Sequence, residues 1–264
     1  MIQNQEIKRE QAVHGKQWGA LHDGYFSNTG IAQPLLNAVI RYARLSEAAT
    51  VVDLGGGTGT LSRLLMKQWS PLPFSLINMD GSVEQLKTAQ AAGVRTHPGT
   101  VETLRREDFD PQSGALLYMM RSVLHYLGRE SLAGALEHIC RQTGPGEYFI
   151  HQTACFDSPS EADCLNTLYA MMRTEKWYPA EACLTELLRQ TGWSVVDVLP
   201  APTLSLSAKD LQVRYALSSE DLLEIRSRLS SEYSACTHLF KPDATGFTAY
   251  LPYRIFICQN QTGS

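Results

Sequence analysis

Residues 50–61 read TVVDLGGGTGTL. Val51 and Val52 lead into Asp53, glycines follow at Gly55, Gly56, Gly57 and Gly59, and Thr60 and Leu61 open a helical pattern. A buried strand that ends in glycines at a helix N-terminus lets backbone N–H groups approach an anionic or polar ligand closely. Spacing narrows the choice of ligand. A dinucleotide loop needs Gly-x-Gly-x-x-Gly or Ala. Counted from Gly55 the third position is Thr60, and from Gly57 it is Ser62, so neither fits. A phosphate-binding P-loop ends in Gly-Lys-Ser/Thr, and the first lysine after the glycines is Lys67. Asp-x-Gly-x-Gly-x-Gly does fit, at Asp53, Gly55, Gly57 and Gly59. A second carboxylate, Asp80, closes the next apolar run and is followed by Gly81; a carboxylate can accept from both hydroxyls of a diol.

These residues need a scaffold that brings strand ends together. From residue 50 the chain alternates short strands (51–54, 74–80, 94–97, 115–120, 148–153, 194–199) with helices near 61–69, 83–92, 131–142 and 180–190. Such alternation, with near-continuous apolar strands, predicts a mostly parallel sheet with helices on both faces. Ligands bind such sheets at the carboxyl ends of the strands. Before it, Trp18, Leu21 and Tyr25 recur at helical spacing, and a second helix covers 31–45. Segment 157–179 and the excursion 200–252 stand outside the rhythm. The excursion holds a helix beginning at Ser218 or Ser219, with Ser218-x-x-Asp221 as its capping box. A compact strand, YRIFIC at 253–258, closes the sheet. We expect one domain, 1–264: an N-terminal helical lid (1–46), a ligand-binding core (47–200), a cap insertion (201–251) and a final strand (252–260).

The 264 residues are 44% hydrophobic with a formal net charge of −4, enough apolar content for a real core and no basic footprint for nucleic acid. The N-terminus MIQNQEIKREQ has no apolar signal core, and no apolar run reaches membrane-span length. Six scattered cysteines without a Cys-x-x-Cys pair favour free thiols in a reducing cytosol, so a cytoplasmic protein without a structural metal is expected.

The glycine pattern resembles the first motif of the class I S-adenosylmethionine-dependent methyltransferases, and the resemblance covers roughly residues 35–200. It implies a Rossmann-like α/β fold with a seven-stranded sheet whose last strand is antiparallel, and S-adenosylmethionine as cofactor. In that family an acid at the position of Asp80 holds the ribose hydroxyls. The turn Gly99-Thr100-Val101 follows the third strand, where adenine is packed, which implies adenine contacts from Thr100 and Val101. Pro145-Gly146 and Gln190-Thr191-Gly192-Trp193 also match the family's habit.

Residues 118–127, YMMRSVLHYL, look like the segment after strand four in small-molecule O-methyltransferases of the caffeate and hydroxyindole type. Carried over by position, Arg121 is the basic cofactor contact and His125 the catalytic histidine; Tyr126 and Leu127 stand where that family has an acid and a Trp. A histidine suits the chemistry. The methyl is already activated on a sulfonium, so the protein must align the reactants and remove a proton from a hydroxyl acceptor. Packing or substrate lining is the alternative role for His125. His151, at the end of strand five, His22 beside Asp23, Trp18, Tyr126, Trp177, Tyr178 and Tyr253 are candidates for the acceptor side. Trp18, Tyr25 and Phe26 also read as a lid closing over the cofactor, with Tyr25 a candidate cofactor contact, since a sulfonium favours aromatic faces.

The expected function is methyl transfer from S-adenosylmethionine to an oxygen, less readily a nitrogen or carbon, of a small metabolite. No nucleic-acid or membrane partner is expected, and the sequence identifies no oligomer interface. Alternatives are a protein or RNA methyltransferase, a same-fold enzyme that keeps the cofactor without transferring methyl, and a regulatory S-adenosylmethionine-binding protein.

Overall fold

The computed structural model describes residues 24–109, 114–244 and 246–261. Helix α1, Thr29–Leu45, starts two residues before the predicted position because the Asn28 side-chain oxygen accepts from the Gly30 and Ile31 N–H groups at 2.8 and 3.3 Å. Its buried face carries Leu35, Leu36, Val39 and Ile40. The alternating part follows as β1 (Ala48–Leu54), α2 (Thr60–Gln68), β2 (Ser75–Asp80), α3 (Val83–Ala91), β3 (Arg95–Pro98), β4 (Ala115–Arg121), α4 (Gly128–Arg141), β5 (Tyr148–Ala154), α5 (Pro159–Met171), α6 (Glu181–Gln190) and β6 (Trp193–Ser207). After it come α7 (Ala208–Tyr215), α8 (Ser219–Glu232), β7 (Phe240–Pro242) and β8 (Phe247–Asn260).

The strands form one sheet in the order β3-β2-β1-β4-β5-β8-β6, with β7 paired to β8. β3 through β5 are parallel, and β8 runs antiparallel to both β5 and β6. Alternation along each strand feeds two apolar layers. Val51, Leu117, Met119 and Ile150 pack under α1 and α2, whereas Val52, Tyr118, Met120 and Phe149 pack against α4 and α6. At roughly 1.5–3 kcal/mol for each fully buried large side chain, these layers dominate the stabilisation. At the amino ends of β4 and β5, Glu147 accepts from both terminal nitrogens of Arg106 (2.5 and 2.7 Å) and from the Leu116 and Gly144 N–H groups. The opposite edge, where β1, β2 and β4 end in Leu54, Asp80 and Arg121, is left to the site.

Two strands run well past their predicted limits. β6 and β8 pair from Trp193↔Asn260 to Ser207↔Thr248, so part of the stretch expected as cap insertion is sheet. Pro200, just past the predicted end of the strand, is itself paired with Arg254, and proline, which normally marks a strand end, recurs at Pro202 and Pro252. Here both fall at the register irregularity between Ala201 and Leu204, and β6 is an edge strand. Beyond the irregularity Leu204, Leu206, Ala249 and Leu251 are buried beneath a third apolar cluster supplied by α5, α7 and α8. The predicted capping box holds: the Ser218 hydroxyl accepts from the Asp221 N–H at 3.0 Å, and Asp221 accepts back from the Ser218 N–H at 2.7 Å. Helix α5, in a segment without a predicted element, starts at Pro159 with Ser158 as N-cap. Among the described residues no helix is long and apolar enough to cross a membrane.

Candidate active site

The glycine loop does something other than its sequence first suggests. Its amides face into the fold: the Gly55 and Gly56 N–H groups donate to the Met79 oxygen at 2.8 and 3.2 Å, and Gly57 N–H donates to Asp80 Oδ2 at 2.9 Å. They are not aimed outward as an anion cradle, because the loop is pinned flat across the end of β2. Asn78 Nδ2 holds it from below by donating to the Gly57 oxygen at 2.9 Å. What glycine supplies is close approach. A Cβ at Gly56 would stand 2.2 Å from Asn78 Oδ1 and 2.5 Å from Asp53 Oδ2, and one at Gly55, where φ is +70°, would stand 2.6 Å from Val123 Cγ2.

Asp53 is buried, with Oδ2 accepting from Ser62 Oγ at 3.2 Å and Oδ1 without a protein partner among the described residues. Burial pushes its pKa up to about 7, against the pull of the Arg121 guanidinium. Asp80 is half-buried; Oδ1 accepts from Ser82 N–H at 2.8 Å and Oδ2 from Gly57 N–H. Burial raises its pKa and the two amides oppose that shift. Each Asp80 oxygen keeps a lone pair for a further donor. Gly99 N–H donates to the Asp80 main-chain oxygen, which brings the next turn alongside. Gly81 and Thr100 are in tight contact there, the Thr100 methyl lying 3.0 Å from where a Gly81 Cβ would be. The Thr100 hydroxyl donates to Glu102 at 2.7 Å, and Val101 is buried below. Asp53 Oδ1, Asn78 Oδ1 and Arg121 Nη1 are buried without hydrogen-bond partners among the described residues. Two acceptors and a charged donor without protein partners around a Cβ-free loop fit a polar ligand carrying an ammonium, a carboxylate and a diol.

Arg121 ends β4, and its Nη2 donates to the Phe26 oxygen at 2.6 Å with the guanidinium 5.5 Å from the Phe26 ring centre. Burial lowers its pKa, opposed by Asp53, Tyr25 and Tyr253. Ser122 has φ +59°, a left-handed conformation costly for a residue with a side chain and characteristic of functional turns. It is held by Ser122 N–H donating to the Gln152 oxygen at 2.9 Å and Oγ donating to Tyr253 Oη at 3.1 Å. Tyr25 donates to the Pro202 oxygen, and its ring lies 5.8 Å from that of Tyr253. Burial raises the pKa of Tyr25 and pushes that of Tyr253 up to about 12, so both hydroxyls stay protonated donors.

Past Ser122 the chain turns through a 3₁₀ segment, Leu124–Leu127, that presents His125 and Tyr126 to a small cavity. The His125 ring stacks on Tyr178 at 5.0 Å and 20°, and lies 4.2 Å from the Tyr126 ring. Phe26, Ser122 and Tyr253 close one side. Lys176, from the loop after α5, and Arg214 of α7 are on the wall as well, only 5% and 8% exposed. Lys176 Nζ donates to Tyr215 Oη at 2.9 Å and lies 4.7 Å from the Tyr126 ring centre. The cavity is small, about 20 Å³, near the minimum for one water.

The structure therefore gathers Asp53, the glycines, Asp80, Gly81, Thr100, Val101 and Arg121 at one end of the edge, and Tyr25, His125, Tyr126, Tyr178 and Tyr253 at the other. Two acceptor-side candidates do not line this cavity. His151 is fully buried between the Phe149 and Phe256 rings (4.8 and 5.1 Å) and is absent from the cavity wall; burial pushes its pKa down to about 3. The Trp177 ring packs on the α4 side of the sheet near Arg129, while the Trp177 main-chain N–H donates to the His125 main-chain oxygen at 3.1 Å. Trp18 and His22 lie outside the described residues. Ser122, Gln152, Lys176 and Arg214 were not singled out from sequence. Ser122 alone had a local cue, standing one residue past an apolar strand. Lys176 and Arg214 sit in polar-looking stretches whose burial depends on elements far away in the chain. Among the described residues no group of three or more His, Cys, Asp or Glu could hold a metal.

Open sheet, strand order and edge site together define a Rossmann-like α/β protein with a ligand cradle on β1 and β2. The chain belongs to the methyltransferase-domain family, whose model matches residues 30–198. It is 24% identical over 267 residues to trans-aconitate 2-methyltransferase of Mycobacterium tuberculosis, covering 92% of this chain and 97% of that protein. It is 29% identical over 107 residues to sterigmatocystin 8-O-methyltransferase of Aspergillus flavus, a match spanning 40% of this chain and only 24% of that protein's length. In fold it is similar to YcgJ of Bacillus subtilis (TM-score 0.66, 14% identity, 88% of this chain and 100% of that chain). Human N-acetylserotonin methyltransferase, solved in complex with S-adenosylmethionine, is similar over 99% of this chain and 58% of that one (TM-score 0.54, 16% identity). Residues 30–198 are therefore a methyltransferase domain.

Proposed function

We propose that the enzyme methylates an oxygen of a small molecule bound in the cavity between the β4 turn and the cap. The observation that carries this reading is the position of His125: Ser122, the residue after Arg121 at the end of β4, lines the cavity, and His125 is on its wall. In this reading Asp80 accepts from the ribose hydroxyls, Thr100 and Val101 border the adenine, and Asp53 and Arg121 receive the charged amino-acid end. When bound, S-adenosylmethionine supplies a methyl on a sulfonium and leaves as a neutral thioether, so the acceptor must give up one proton for charge balance.

His125 takes that proton from the acceptor hydroxyl; a base working near its own pKa contributes about 10²–10⁴-fold. Phe26, Tyr178 and Tyr253 exclude water and hold the acceptor in line, an alignment that supplies roughly 7–11 kcal/mol of the barrier in well-oriented systems. The two curated relatives also carry methyl transfer to small molecules in their names, which supports an acceptor of that size. The test is incubation of the purified protein with methyl-labelled S-adenosylmethionine and a metabolite extract. Label in a small molecule, as an alkali-stable ether, is the expected result. Label confined to protein or RNA would overturn the reading. With the acceptor in hand, a His125→Ala variant that kept near wild-type kcat between about pH 6 and 9 would remove His125 as the base.

A further inference from the structure

A row of polar side chains lies along one face of the sheet at its carboxyl edge. Asn78 of β2 is in register with Asp53 of β1, and Asp53 with Met119 of β4. Arg121, two residues past Met119, is in register with Gln152 of β5. Residues in register, or two apart on one strand, share a face. This is the face that α1 and α2 cover, with Val51, Met119 and Ile150 beneath them. His151, one residue before Gln152, lies on the other face against the Phe149 and Phe256 rings. Every polar member of the row has a buried side-chain atom without a hydrogen-bond partner among the described residues: Asn78 Oδ1, Asp53 Oδ1, Arg121 Nη1, and both amide atoms of Gln152.

Gln152 is 1% exposed and stands at the far end of the row from the glycine loop. Its amide acts on the Tyr25 hydroxyl, opposing the rise in pKa that burial causes there. Tyr25 also interacts electrostatically with Arg121, so the three side chains form one group. The Tyr25 hydroxyl already donates to the Pro202 oxygen, so it can accept at most one hydrogen from Nε2. A primary amide has two N–H donors and an oxygen with two lone pairs. One N–H and Oε1 therefore stay uncommitted whatever Tyr25 accepts.

On the reading that Asp53 and Arg121 receive the amino-acid end of S-adenosylmethionine, we infer that Gln152 is a further binding residue for the donor, its amide N–H donating to the donor's carboxylate beside Arg121 Nη1. The order of charges along the row sets the orientation. The acid on β1 suits the ammonium, and the donors on β4 and β5 suit the carboxylate. A neutral amide adds a directed contact without burying a second cation beside Arg121.

Calorimetry with S-adenosylhomocysteine and its decarboxylated analogue, which keeps the amine, tests this. Wild type should prefer S-adenosylhomocysteine by about tenfold or more. Gln152→Leu should bind S-adenosylhomocysteine about tenfold more weakly, as for one hydrogen bond to a charged group, and the analogue within about twofold of wild type. Its melting temperature should be no lower than that of wild type, because an unpaired buried amide is removed. Gln152→Glu, a second variant that sets an anion against the carboxylate, should weaken S-adenosylhomocysteine further. Unchanged affinity in Gln152→Leu, equal losses for both ligands, or tighter binding in Gln152→Glu would overturn the inference. The two readings fail separately. Full S-adenosylhomocysteine affinity in Arg121→Met would sink the placement of the amino-acid end, whereas a loss there with none in Gln152→Leu would strike Gln152 alone.

Discussion

Arg121 Nη2 donates to the Phe26 main-chain oxygen at 2.6 Å, so the residue that ends β4 also fastens the segment leading into α1 across the site. The same side chain faces Asp53 electrostatically and leaves Nη1 buried without a hydrogen-bond partner among the described residues. Arg121→Met keeps length and apolar bulk while removing every donor. We expect S-adenosylmethionine affinity to fall by about tenfold or more, as for loss of a charge-assisted hydrogen bond. Amide exchange around residues 25–28 should accelerate as well. Calorimetry and hydrogen exchange check the two effects, and unchanged exchange would mean that the Phe26 contact holds nothing in place.

Asp80→Ala removes the acceptor for Gly57 N–H and Ser82 N–H together with the carboxylate assigned to the ribose. Loss of binding by roughly 10- to 100-fold is expected, with Asp80→Asn intermediate because the amide oxygen still accepts. Unchanged affinity in Asp80→Ala, measured by calorimetry, would mean that the ribose lies elsewhere.

Asp53 makes binding depend on pH. Its pKa of about 7 is raised above the ordinary 3.8, so the fold favours the protonated form. For the free protein, the stability this group contributes is fully present below about pH 4 and is lost as pH rises to about 7. A cationic ligand group beside it reverses the preference. Affinity for S-adenosylmethionine should therefore fall by up to about tenfold per pH unit below pH 7 and level off above it. Asp53→Asn should flatten that profile in calorimetric titrations.

His151 has the opposite sign. Its folded pKa of about 3 is depressed from 6.5, so stability is lost as pH falls from about 6.5, where the unfolded chain begins to take the proton. Both ring nitrogens are buried without partners among the described residues, so His151→Leu exchanges an unsatisfied polar ring for an apolar side chain. We expect a melting temperature equal to or above wild type at pH 7, and a gap in favour of the variant that widens towards pH 5. Thermal denaturation at both pH values measures it.

The cradle was legible in the sequence because its chemistry is local. Asp53, the glycines and Asp80 lie within thirty residues and answer to the spacing of one β-α-β unit. Even there, sequence misjudged the mechanism: the Gly55, Gly56 and Gly57 amides are used inside the fold, and that depends on β2 lying beneath the loop. The acceptor side was legible only in part. His125 follows a strand end and could be read by position, but His151, read as ending strand five, lies midway along β5 and packs in the core, where strand neighbours decide the outcome. Lys176 and Arg214 become pocket residues only because α5, α7 and β8 meet. The extension of β6 and β8 was hidden by prolines that read as terminators, and only the pairing register shows them tolerated.

The long β6–β8 ribbon makes this protein modular in a definable way. Ser207↔Thr248 is the last pair before the chain leaves for α7, α8 and β7, so residues 208–246 enter and leave the sheet at neighbouring points. That span carries Arg214 but neither Asp53, Asp80 nor His125. Exchanging it would alter which acceptor is admitted while leaving the donor's cradle and the sheet's register as they are. In the proposed reading, that span holds none of the residues assigned to the methyl donor and contributes Arg214 to the cavity wall.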